Sequence, residues 1–215
     1  MGELMIKKYD RIKDIIFPNK KINIFIISIL FLGIITGAIF ANIINLNDKT
    51  LVIDKIKLFI ENINTNKIDS IIALKNSLTI NTIYITLIWI LGMTFIGFII
   101  TIILLFTKSF ILGFSLASFI LTYNYKGIIL STIYLIFGQL LNIFTIIILS
   151  IYSIMFGIKL FKIIIKKDNN QNTLKQFKNY TIIFIITIII SIISSLSESF
   201  LLPSLIKLII KLFTK

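Results

Sequence analysis

The chain contains no cysteine and no histidine. The first absence rules out disulfides and thiolate metal sites. The second rules out imidazole as acid, base or ligand. Charge is scarce and one-sided: nine Asp and Glu stand against 22 Lys and Arg, and nearly all the carboxylates lie in the N-terminal flank or between apolar runs. No carboxylate pair falls within an apolar run, and no HExxH, GxSxG or phosphate-loop pattern occurs. Serine and threonine are plentiful, but no histidine or buried aspartate accompanies them as a base, and no Ser–Lys pair stands out. The residues describe a protein that is not an enzyme and carries no cofactor and no metal.

What is present is apolar. Hydrophobic residues make up 57% of the chain and charged residues 14%, and the mean hydropathy is +1.02. A soluble domain of this size cannot hide so much apolar surface behind a polar exterior. Several runs reach the roughly 20 residues that a helix needs to cross the hydrocarbon core. The fold class that follows is all-α, a polytopic integral membrane helical bundle of about five transmembrane helices. The net charge of +13 sits mostly as lysines beside apolar runs, where the positive-inside rule accounts for it. No basic soluble domain exists to bind nucleic acid, so the partner that composition points to is membrane lipid.

The N-terminal flank, 1–21, carries Lys7, Lys8, Arg11, Lys13, Lys20 and Lys21. The run after it is too long for a signal-peptide core and lacks a small-x-small cleavage site, so it reads as an uncleaved first span. Within a single membrane domain, 22–215, the predicted spans are 22–45, 81–106, 109–124, 127–158 and 180–197. Segment 46–80 is polar. Val52, Ile56, Phe59, Ile60 and Ile63 recur there at helical spacing, which predicts an amphipathic helix capped near Asp48 that lies on the membrane or on the bundle. Its five lysines nearly balance Asp48, Asp54, Glu61 and Asp69, as suits an outer loop. Asp54, Lys57, Phe59 and Glu61 are its partner-facing candidates.

Segment 159–178 holds Lys159, Lys162, Lys166, Lys167, Lys175 and Lys178 against Asp168. With the N-terminus it defines the cytoplasmic side. Lys108 is expected to end the second span on that side, and the C-terminus emerges outside. The third span is short, and a re-entrant pair over 109–138 is the competing arrangement. The run from Gly127 to Leu160 would form a helix of about 50 Å, longer than the roughly 30 Å core. "FGQLLN" (137–142) is its natural break.

Small residues mark helix-packing candidates: Gly33 and Gly37 in "GIITG", Gly113 and Ala117, and Gly92 and Gly97 beside the sole tryptophan, Trp89. GxxxG spacing lets backbones approach closely. Trp89 and Gly92 read as the large and small halves of one contact within the second span. The polar membrane candidates are Gln139, Asn142 and Glu198. Gln139 and Asn142 can satisfy backbone groups at a helix break. Glu198 reads as sitting at the outer interface, where the helix ends before Pro203. Self-association and the partner surface are left open by the residues. A permease-like subunit for a small solute or lipid is the alternative function, and a cavity reaching Gln139 would favour it.

The stretch "IWILGMTFIGFIITIILLFTKSFILGFSLASFI" (88–120) resembles the stage II sporulation protein M family. The likeness lies in a Trp-Ile-Leu-Gly opening, a second Gly, an apolar run, a single lysine and a Gly-Phe-rich helix. The basic N-terminus, a first helix ending in "GAIFANIINL", the outer polar segment, and Glu198 followed by Pro203 fit as well. One departure lies at Gly138-Gln139, where the family usually carries a proline. The resemblance implies a membrane protein of endospore-forming bacteria that acts with the sporulation proteins D and P, which degrade peptidoglycan during engulfment of the forespore. It implies a scaffold that localises them at the septal membrane of the mother cell.

Overall fold

A computed structural model describes residues 18–94, 96–166 and 173–213. The basic residues Lys7, Lys8, Arg11, Lys13 and Lys167 of the two cytoplasmic expectations, and the acidic Asp168, lie outside these. Every regular element among the described residues is helical. The helices are α1 (Lys20–Ile43), α2 (Leu46–Asn64), α3 (Ser70–Gly92), α4 (Gly97–Tyr123), α5 (Tyr125–Ile133), α6 (Leu140–Lys166), α7 (Thr173–Leu196) and α8 (Leu202–Phe213). A π-helical turn at Tyr134–Gln139 joins α5 to α6. Another at Ser197–Leu201 joins α7 to α8.

Five helical stretches are long and apolar enough to cross a membrane: α1, α3, α4, α5 through α6, and α7 into α8. The chain is thus a multi-pass membrane bundle. Ile24, Phe31, Ile35, Ile39 and Ile43 of α1 and Ile182, Ile185, Ile189 and Ile193 of α7 point outward, a surface that suits lipid and not water. The bundle has two ends. One gathers the start of α1, the α3–α4 turn and the facing ends of α6 and α7, around Ile85, Ile88, Ile151, Ile154 and Tyr180. The other gathers α2, the α4–α5 turn and α8, around Ile60, Ile63, Phe119, Leu130, Leu202 and Ile206.

Five crossings agree with the expectation, but their limits shift. Asp69 starts α3 by accepting from the amides of Ile71 (2.8 Å) and Ile72 (3.2 Å), so α3 begins at Ser70 and not at 81. It ends at Gly92. The backbone then tightens, with the amides of Met93 and Thr94 reaching only to Ile90 and Leu91. A Cβ on Gly97 would strike the Leu91 carbonyl, so glycine is what allows α4 to restart there. Gly97 therefore belongs to α4 and not to the helix of Trp89. With 27 residues, α4 is a full-length span. That replaces both the short 109–124 helix and the re-entrant alternative, and Lys108 lies within α4 rather than at a helix end.

The long run from Tyr125 to Lys166 does not break at Gly138. It widens by one residue: the Leu140 amide reaches back to the Leu135 carbonyl. The Leu202 amide likewise reaches Ser197, and the helix of Glu198 continues through Pro203 instead of ending. Proline in an α-helix clashes with the carbonyl four residues earlier, and the π turn just before Pro203 changes that register. In α2 the cap position is Asn45, with Asp48 inside the first turn.

Candidate functional site

One face of α3 is polar within the membrane-spanning part. Ser77, Asn81 and Tyr84 recur at helical spacing on it. They meet the two π turns. The Ser77 hydroxyl donates to Glu198 Oε2 at 2.6 Å, and Gln139 Nε2 donates to Glu198 Oε1 at 3.0 Å. The Ser77 and Ser195 hydroxyls lie 3.1 Å apart. Asn81 Nδ2 donates to Ser77 (3.2 Å) and Ser195 (3.1 Å), and Asn142 Nδ2 donates to Asn81 Oδ1 at 2.6 Å. In hydrocarbon such groups have no water to turn to, so they pair across helices. The three polar candidates Gln139, Asn142 and Glu198 thus come together. The expected interfacial place for Glu198 is corrected: it is half-buried inside the bundle.

A cavity of about 310 Å³ opens onto this network, lined by Lys108, Glu198, Gln139, Asn81, Tyr84 and Tyr134 among others. Lys108 Nζ sits 5.1 Å from the centre of the Tyr84 ring, a cation–π contact. Lys108 and Glu198 thus face the same cavity. Charges at this depth are costly and ordinarily functional. Among the described residues no group of three Asp, Glu, His or Cys side chains could hold a metal ion.

The small residues sit in two helix contacts. Between α1 and α4, a Cβ on Gly33 would lie 2.6 Å from Ser109 Cβ. One on Gly37 would meet the Phe110 carbonyl, and one on Gly113 the backbone of Ile34. Both backbones touch here, as small-xxx-small spacing allows; Ala117 lies half-buried on α4. At the other contact, Trp89 stacks on Phe184 of α7, with ring centres 4.4 Å apart and planes at 13°. A Cβ on Gly92 would meet the Tyr180 hydroxyl and Ser153. Trp89 and Gly92 are therefore not a large–small pair with each other. They contact successive turns of α7. The Tyr180 hydroxyl reaches the carbonyls of Ile88 (2.8 Å) and Trp89 (3.1 Å), satisfying acceptors in the last turn of α3. Thr101 and Ser153 pair beside them at 2.9 Å.

The apolar stripe of α2 seats on α4 and α8. Phe59 packs edge-on against Phe119 at 6.4 Å, so it does not face outward. Asp54, Lys57 and Glu61 do. Lys207 of α8 donates to Asn66 Oδ1 at 2.5 Å, tying α8 to the loop after α2.

Sequence reasoning missed Lys108, Ser77, Asn81, Tyr84, Tyr134, Ser195 and Tyr180 as site or packing residues. A signal existed for α3. Starting the helix at the Asp69-Ser70 cap puts Ser77, Asn81 and Tyr84 on one face. None exists for Tyr134, which opens the first π turn, or for Ser195, one of several serines near the end of α7.

A family model described as stage II sporulation protein M matches residues 25–203. No curated protein and no solved structure matches the chain.

Proposed function

For a chain that belongs to the stage II sporulation protein M family, we propose a membrane scaffold for engulfment during endospore formation. It acts without catalysis, recruiting the peptidoglycan-degrading sporulation proteins D and P and holding them at the septal membrane of the mother cell. The observation that supports this reading is α2. It is anchored on the bundle by Ile60 and Ile63 while Asp54, Lys57 and Glu61 stay exposed, leaving a rigid charged face at one end of the membrane domain. Lys20, Lys21, Lys159, Lys162, Lys175 and Lys178 gather at the opposite end, which the positive-inside rule assigns to the cytoplasm. On this reading α2 faces the wall. Co-purification from sporulating cells tests it. Proteins D and P should accompany the wild type and be lost from an Asp54→Lys, Lys57→Glu, Glu61→Lys variant that still reaches the membrane. A deletion strain that completes engulfment, with neither partner recovered, would sink the proposal.

A second reading, a permease-like subunit for a small solute or lipid, is favoured by one observation. The 310 Å³ cavity reaches Gln139 and lies where two π turns meet, the kind of irregular helix that lines membrane sites. Flux through proteoliposomes that exceeds protein-free vesicles and falls in Gln139→Leu would support it.

A further inference from the structure

The cavity presents two opposite charges on separate walls. Lys108 comes from α4, and Glu198 from the π turn after α7. An ion pair buried for stability alone needs close geometry and a full set of hydrogen bonds to offset desolvation. This pair has neither. Among the described residues Lys108 Nζ donates no hydrogen bond, and its neighbour is the face of Tyr84. An ammonium has three donors, and among the described residues none of the three meets an oxygen acceptor; the contact is with the Tyr84 ring alone. Glu198 accepts one hydrogen bond on each oxygen, from Ser77 and from Gln139, and a carboxylate has about four acceptor sites. Ser77 and Gln139 thus hold the carboxylate in place and leave it room to accept more. A volume of about 310 Å³ is at the lower end for small-molecule sites.

We propose that this cavity binds a small zwitterion, with its phosphate or carboxylate on Lys108 and its ammonium on Glu198. The inference deepens the second reading by naming the ligand class of that site. Two sources carry this chemistry: the headgroup of a phosphatidylethanolamine lipid and a free amino acid or phosphoethanolamine. The cavity edge favours the lipid. Ile80 and Ile111, 54% and 49% exposed, line it from α3 and α4, so the space between these helices communicates with the lipid-facing surface.

The test uses the full chain in nanodiscs of phosphatidylglycerol, with phosphatidylethanolamine added in increasing proportion and retained lipid counted by native mass spectrometry. Free O-phosphoethanolamine and glycine are titrated in parallel by calorimetry. The wild type should take up one source. Lys108→Met and Glu198→Gln should each weaken it by about tenfold or more, as loss of one partner of a charge-assisted contact does. Should either variant fail to fold, Ile111→Trp narrows the lipid-side edge with both charges intact and should abolish lipid retention while sparing the free ligand. No binding of either source, or binding unchanged in Lys108→Met and Glu198→Gln, overturns the inference. Lipid retention that persists in Ile111→Trp overturns the lipid route. Binding without flux in proteoliposomes removes the transport reading alone.

Discussion

Ser197 Oγ donates a 2.6 Å hydrogen bond to the carbonyl of Phe137, which joins one π-helical turn to the other. A π turn leaves carbonyls out of register with the amides that would normally cover them. A side chain from the second π turn covers one in the first. The two irregular turns support each other, and between them they set the positions of Gln139 and Glu198.

Ser197→Ala removes this link. Interhelical hydrogen bonds in membranes are worth about 0.6 kcal/mol on average and up to roughly 1.7. The variant should be destabilised within that range in a reversible unfolding titration in bicelles. A change near zero would show that the carbonyl of Phe137 finds another donor.

The α1–α4 contact is backbone on backbone at Gly37 and Gly113. Gly37→Leu or Gly113→Leu should prevent that approach and reduce the folded protein in membranes several-fold. Ile35→Leu, on the lipid-facing side of α1, should leave the yield unchanged. Normal yield of both glycine variants would mean that the helices separate without penalty.

Trp89 is the only tryptophan, so its fluorescence reports the α3–α7 contact directly. Its indole nitrogen is buried without a hydrogen-bond partner among the described residues, which predicts blue-shifted emission. Phe184→Ala removes the stacked ring and should change the emission intensity. Tyr180→Phe uncovers two carbonyls and should lower stability by about 1 kcal/mol, the usual size of one hydrogen bond. Emission identical in Phe184→Ala and wild type would argue against the stack.

The absence of native cysteine allows a direct topology test. Single cysteines at Lys57 and Tyr125, both exposed at the α2 end, should react with an impermeant maleimide added outside intact cells. A cysteine at Thr94, exposed in the α3–α4 turn, should react only after the membrane is opened. The reverse pattern would invert the orientation and place α2 in the cytoplasm.

Much of the fold was legible along the chain. The amphipathic stripe of α2 is visible in Val52, Ile56, Ile60 and Ile63, because a helix packed on a bundle repeats its apolar positions every three to four residues. The α3–α4 turn was not. Residues 81–106 are almost uniformly apolar, and hydropathy has no contrast there with which to place a boundary. The markers were Asp69 as a cap and Gly97 as a close approach, and each is local and easily passed over. Gln139, Asn142 and Glu198 stood out because polar residues are rare in such runs. Their meeting with Ser77, Asn81 and Lys108 did not, because it joins four helices distant in sequence.

Composition and periodicity by themselves determined a five-span helical membrane protein, because roughly 20 apolar residues have few stable alternatives to a helix in lipid. Neither reaches the family: the stretch around Trp89 resembles it, and the family match over residues 25–203 shows it. Only the tertiary structure decided that Lys108 and Glu198 share one cavity. Each lies on a helix whose register depends on a turn, the α3–α4 turn for Lys108 and the second π turn for Glu198. A register shift of one residue rotates a side chain by about 100° around the helix axis, enough to carry it from the bundle interior toward the lipid.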